Sequence, residues 1–262
     1  MGKKLAAAAL GLACAMPVRA EPAGQATITV LAAGSLREAM TELGAAYRAQ
    51  TGVVLAVSYG PSGKLREGLE QGAKADVFAS AAIEHTDALA RQGLLSRSVP
   101  LAFNDLCVVA TPALNLADDR LVATLLDPAV RLATSTPVSD PMGDYTWQFF
   151  RNADKAHAGA FARFDAKALK LSGAGAPPAG AKPPYVSAFE ADQADAYIMY
   201  CTNAASTLRA LPRLQVQRIP DALNVRSAYG IGAAPSSAEG ERFIAFVLGA
   251  NGKAILRRHG FH

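Results

Sequence analysis

Two serines stand where helices should begin. In "AAGSLREAM" (32–40), Ser35 follows a run of small residues, and Leu36 and Met40 after it fall on one helix face. In "SYGPSGKLREG" (58–68), Ser62 follows extended residues and a glycine turn. A helix N-terminus carries unpaired N–H groups and a partial positive charge. An anion held there is hydrogen-bonded without a lysine or arginine, and a serine hydroxyl adds a donor. Two such termini facing each other would bind a small dianion. The same residues also have a purely structural reading. Serine is a favoured N-cap, and Ser35 to Glu38 has the spacing of a capping box. A third candidate is Met142 in "STPVSDPMGDYTWQFF", where Asp140 and Pro141 stop a turn and Met142-Gly143 opens a helix with free N–H groups. A fourth is Tyr200, at the end of the apolar run "AYIMY", where an α/β sheet presents residues to its binding edge. Core packing is the alternative for this tyrosine.

Other chemistries find no support. "GPSGKL" lacks a phosphate-loop pattern: Ser58 stands where a glycine is needed, and Leu65 follows Lys64. There is no G-x-S-x-G nucleophile elbow. The histidines at 85, 157, 259 and 262 and the cysteines show no metal-ligand spacing, so neither a cofactor nor a metal site is expected.

The 262 residues suffice for one large domain or two small ones. Lys3 and Lys4, the apolar run Leu5–Met16 and the small residues of Val18-Arg19-Ala20 read as a secretory leader over 1–20, cut before Glu21. Removing Lys3, Lys4 and Arg19 leaves 23 basic against 22 acidic residues, so no nucleic-acid surface is expected. Cys107 and Cys201 remain after cleavage. An oxidising compartment permits a disulfide between them; two buried free thiols are the alternative.

Strand and helix patterns alternate along the rest. "ATITVLAA", "VVLAVSYG", "ADVFASA", "DLCVVATP", "VRLATS", "DAYIMYC", "LQVQRIP" and "SAYGIGAA" read as strands. Helices are expected over Ser35–Gln50, Ser62–Gln71, Ala82–Gln92, Met142–Ala153 and Phe161–Leu171, with one or two more from Ser236 to the end. This is an α/β class with mostly parallel sheets. "SGAGAPPAGAKPP" (172–184) is a loop that could border a cleft.

Together these segments resemble, in order and over nearly the whole mature chain, the periplasmic molybdate-binding proteins of ABC transporters. The resemblance is carried by "ITVLAAGSLREAM", "GVVLAVSYGPSGKLREGLEQGAKADVFASA", "FNDLCVVATP", "RLATSTPVSDPMGDY", "YIMYCTNA" and the terminal "RRHGF". It implies a two-lobed periplasmic binding protein of type II, with mostly parallel sheets flanked by helices and a ligand cleft between the lobes. The first lobe would be 21–104 with 226–262 and the second 105–225, with hinge strands near Asn104 to Val108 and Arg226 to Gly230. It also implies a monomeric receptor, not an enzyme. Such a receptor holds molybdate or tungstate on hydroxyls and N–H groups and delivers it to an inner-membrane ABC permease.

Carried over by motif, the ligand set is Ser35, Ser62, the N–H of Met142, Tyr200, and an N–H at the start of the helix before the tyrosine strand. Ungapped counting back from Tyr200 puts that last donor at Lys182, where Pro183 and Pro184 follow with no N–H to offer. Either Lys182 gives its N–H or its ammonium enters the cleft. In this fold the first strand of the second lobe runs beside the tyrosine strand, which would bring Cys107 and Cys201 together. Same-fold receptors for an organic anion, a phosphonate or ferric iron are the alternatives, although no adjacent Tyr-Tyr pair is present for iron.

Overall fold

The computed structural model describes residues 26–176, 178 and 180–262, together with Gly2. Apart from Gly2, the leader expected over 1–20 lies outside the described residues. The first sheet holds β1 (Thr27–Ala33), β2 (Val54–Gly60), β3 (Val77–Ser80), β4 (Val99–Asn104) and β10 (Ser227–Ala233), in the order β2-β1-β3-β10-β4. The second holds β5 (Leu106–Ala110), β6 (Leu132–Ser135), β7 (Leu169–Ser172), β8 (Ala196–Tyr200) and β9 (Gln215–Arg218), in the order β7-β6-β8-β5-β9. β10 is antiparallel to both neighbours in the first sheet, and β5 to both neighbours in the second. The other four strands of each sheet therefore share one direction. The chain passes between the sheets twice, at Asp105 and between Arg218 and Ser227. This is the architecture of a type II periplasmic binding protein, two α/β lobes joined by two crossings.

Packing explains the sequence patterns. β5 ("LCVVA") and β8 ("AYIMY") are buried at every residue, as continuous apolar runs require of central strands. β1 alternates on its exposed half and is buried where it nears the cleft. Helix α1 (Arg37–Thr51) ends on Gly52, whose φ of 78° supplies the left-handed cap. Helix α5 (Pro141–Ala156) starts on an Asp140 cap with a proline in its first turn and packs Phe149 and Phe150 on Phe164 of α6 (Ala160–Lys167). The remaining helices are α2 (Ser62–Glu70), α3 (Ile83–Arg91), α4 (Leu121–Leu126), α7 (Pro184–Glu190), α8 (Cys201–Ala210), α9 (Ala238–Leu248) and α10 (Ala250–Arg258).

The elements differ from expectation in instructive places. The helix expected over Phe161–Leu171 stops at Lys167, because the extended Ala168 leads into β7, which pairs with β6. Cys201 opens α8 instead of ending β8. β4, α4, α7 and α8 are elements beyond those expected. Cys107 of β5 and Cys201 are joined in a disulfide, with Cα atoms 4.9 Å apart. The first crossing is tied by the Asp105 carboxylate, 2.6 Å from Arg218 and 3.7 Å from both Arg226 and His262.

Candidate functional site

A cavity of about 970 Å³ lies between the two sheets. The ends of β1, β2, β7 and β8, Ala81 just after β3, and the first residues of α5 and α7 open onto it. This is the carboxyl-end edge of each sheet, where the topology leaves a crevice.

Ser35 lines the cavity. It does not cap α1: it sits inside a short 3-10 turn, Gly34–Leu36, and neither that turn nor α1 has a side-chain cap. The expected capping box is absent, and Glu38 instead pairs with Arg209 of α8 at 2.5 Å, across the lobes. The Ser35 hydroxyl lies 2.8 Å from the Tyr229 hydroxyl of β10. Asn104 Nδ2 donates to the same tyrosine oxygen at 3.3 Å and to Thr202 Oγ1 at 2.9 Å. Its amide orientation is set by Oδ1, which accepts the Asp105 N–H. With Asn104 donating into Tyr229, the tyrosine can pass its hydrogen to Ser35, leaving the serine hydrogen for a ligand. Such a chain of donors polarises each member in the same sense.

Tyr200 ends β8, lines the cavity and is 2 % exposed. Its ring packs edge-on to Tyr229 and Tyr145, with centroids 5.6 and 6.5 Å away. Its hydroxyl is buried and has no hydrogen-bond partner. Burial, reinforced by the neighbouring phenols, pushes this group well above the ordinary tyrosine range, so it stays a protonated donor. An unsatisfied buried hydroxyl costs roughly 1–3 kcal/mol, which a ligand oxygen would relieve.

The other three expected residues are engaged differently. The Met142 N–H donates to the Asp140 carboxylate at 3.2 Å, and both residues line the cavity. Ser62 is 1 % exposed and is not among the cavity-lining residues; its Oγ accepts the Ala81 N–H at 3.0 Å. The next amide, Gly63 N–H, donates to the Ser139 carbonyl of the second lobe at 3.1 Å. The N-terminus of α2 is thus closed by backbone from across the cleft. Lys182 lines the cavity, but its ammonium binds both oxygens of Glu190 at 2.7 and 2.8 Å. Helix α7 starts two residues later, at Pro184, with Pro183 as its cap, so the first amide in the helix is that of Tyr185.

Residues that motif reading missed are Asn104, Asp140 and Tyr229. Asp140 before Pro141 carries the signature of an N-cap followed by a first-turn proline, and that signal was available. Tyr229 had no local signal beyond its strand.

A family model described as bacterial extracellular solute-binding protein matches residues 28–262. The chain belongs to that family. This solute-binding protein is 35% identical over 238 residues to an uncharacterized protein of Pasteurella multocida, covering 88% of this chain and 97% of the relative. It is 30% identical over 243 residues to the molybdate-binding protein ModA of Mycobacterium bovis, covering 91% and 85% of the two chains. The periplasmic molybdate-binding protein of Azotobacter vinelandii shares the fold with a TM-score of 0.73 at 19% identity, over 90% of this chain and 98% of that one.

Proposed function

We propose that this solute-binding protein is the periplasmic receptor of an ABC importer. It captures a tetrahedral oxyanion, molybdate or tungstate, between its lobes and hands it to an inner-membrane permease. The observation that carries the reading is the buried hydroxyl of Tyr200, which lacks a hydrogen bond of normal geometry and belongs to a residue lining the same cavity as Ser35. Both groups are neutral donors. Two cavity-lining cations are engaged within its wall, Lys182 with Glu190 and Arg37 over the Tyr59 ring at 4.1 Å. Neutral donors in a closed, water-poor cleft bind an anion firmly yet release it when the lobes part. Burial pushes the Tyr145, Tyr200 and Tyr229 phenols up, which suits them to donate hydrogen bonds to an anion.

A second reading, an organic anion, is favoured by one observation. A cavity of about 970 Å³ is far larger than a tetrahedral oxyanion and is at the upper end of pockets for small organic ligands. Calorimetric titration of residues 21–262 with molybdate, tungstate, sulfate and phosphate tests the first reading. One-to-one binding of molybdate or tungstate, weakened in Ser35→Ala and Tyr200→Phe and with the anion recovered unchanged, supports it. Failure of all four anions transfers the site to the organic class.

A further inference from the structure

Of the three carboxylates that line the cleft, Glu38 pairs with Arg209 and Glu190 with Lys182, while Asp140 has no cationic side chain as partner. Asp140 lines the cavity, its Oδ2 accepting the Ser135 hydroxyl at 2.5 Å and its Oδ1 the Met142 N–H at 3.2 Å. Neither partner is a cation. Gly173, held at φ 81°, backs the carboxylate so closely that an added Cβ would lie 2.7 Å from the Asp140 Cβ. The titratable groups around it are Asp144 on its own helix, the phenols of Tyr197 and Tyr200 on β8, and that of Tyr229 on β10. The Asp144 carboxylate accepts the Val138 N–H at 2.8 Å. The partial positive charge of the α5 N-terminus, which Asp140 caps, is its compensation, and no cationic side chain adds to it. Its carboxylate also occupies the Met142 N–H that a ligand oxygen would otherwise take. A carboxylate without a cationic partner beside a dianion sets like charges against each other in a medium that screens them poorly.

We propose that Asp140 makes ligand capture proton-linked: one proton lies between its carboxyl and the bound oxyanion. As pH rises, the cleft therefore favours an oxyanion that brings its own proton, such as monohydrogen phosphate, over a fully ionised one such as molybdate. The inference rests on the oxyanion reading above. The proton balance has two cases. With Asp140 protonated, its O–H donates to an oxygen of the dianion and no proton is exchanged with solvent. With Asp140 ionised, a dianion enters together with one proton drawn from the buffer, whereas a hydrogen-bearing oxyanion donates its own O–H to the carboxylate. Burial pushes the Asp140 carboxyl above the usual carboxylate range, in keeping with the first case at the acid end.

The test is calorimetric titration of the wild type and Asp140→Asn with sodium molybdate and with inorganic phosphate between about pH 5 and 9. Buffers of different ionisation heat count the protons taken up. Once Asp140 is ionised, wild-type molybdate affinity should fall about tenfold per pH unit as proton uptake approaches one. Phosphate affinity should fall less over the same interval. Asp140→Asn, which keeps an oxygen to cap the Met142 N–H, should bind molybdate with a flat profile and no proton uptake. If that variant does not fold, the wild-type proton count decides alone. Molybdate bound by the wild type with a flat profile and no proton uptake overturns the proposal and leaves the receptor reading intact. No binding of either anion at any pH overturns the oxyanion reading and the proposal with it.

Discussion

Replacing Gly63 by alanine should separate binding from stability. Gly63 is the second residue of α2 in the first lobe, and its N–H reaches the Ser139 carbonyl of the second lobe at 3.1 Å. A methyl added to its Cα would lie 2.4 Å from the Val138 carbonyl oxygen and 2.8 Å from that of Ser139. Both obstacles are backbone. Their loop is pinned by the Val138 N–H on Asp144 and already bends through φ 70° at Val138, a conformation that β-branched residues rarely adopt. The loop cannot step aside easily, but the lobes can part. Closure then loses a backbone hydrogen bond, about 0.5–1.5 kcal/mol, and meets an overlap costing about 1–3 kcal/mol. A penalty of about 2–4 kcal/mol on the closed state lowers apparent affinity about 30- to 700-fold. The packing inside each lobe is untouched, and alanine favours a helix over glycine by up to about 1 kcal/mol. Thermal unfolding of the ligand-free variant should therefore match or slightly exceed the wild type. Small-angle scattering should show a larger radius, and titration with molybdate should show the loss. Unchanged affinity and radius would refute the closure argument, as would a fall in Tm that accounts for the whole binding loss.

Three further outcomes follow from the same geometry. Tyr200→Phe should weaken oxyanion binding by about 1–2 kcal/mol while leaving Tm equal or higher, since it deletes an unsatisfied buried hydroxyl; a lowered Tm with normal binding would make the hydroxyl structural. Reducing the Cys107–Cys201 bond, which links residues 94 apart in sequence, should remove up to about 4–5 kcal/mol of stability and lower Tm, and an identical melt with and without reductant would contradict this. Burial, with Arg66 beside it, holds His85 at about 4 against an ordinary 6.5, so the unfolded chain takes up this proton first. Stability is then lost as pH falls from 6.5 towards 4, by up to about 3 kcal/mol, and His85→Gln should flatten that part of the denaturation profile.

Much of the architecture was legible because burial writes itself into strands. The unbroken apolar runs of β5 and β8 admit hardly any other place than a sheet centre. The site was legible only in part, and the reason is distance along the chain. Ser35 and Tyr200 could be placed at junctions by local pattern alone. The Ser35 partner, Tyr229, lies 194 residues away and meets it only because β10 inserts between β3 and β4. Ser62 shows the converse. Its local signal was sound for a helix start, yet the contact that uses its oxygen comes from Ala81 at the end of β3, a tertiary detail no spacing encodes. Ungapped counting reaches Lys182, two residues before α7 opens at Pro184, because spacing does not record where the two prolines let the helix begin.

The double crossing of the chain also orders the birth of the two lobes. The second sheet is drawn from one unbroken stretch, β5 to β9, and has all its strands once residue 218 is made. The first lobe has β1 to β4 much earlier, but β3 and β4 do not touch; the strand that joins them is β10, almost the last part to be synthesised. The earliest-made part of the chain therefore stays an incomplete sheet, with β4 unattached, until residues 227–233 arrive. Non-local pairing of this kind is slow to form. The pairing of Ser35 with Tyr229 is therefore among the last contacts of the fold to form, although Ser35 belongs to its earliest-made part.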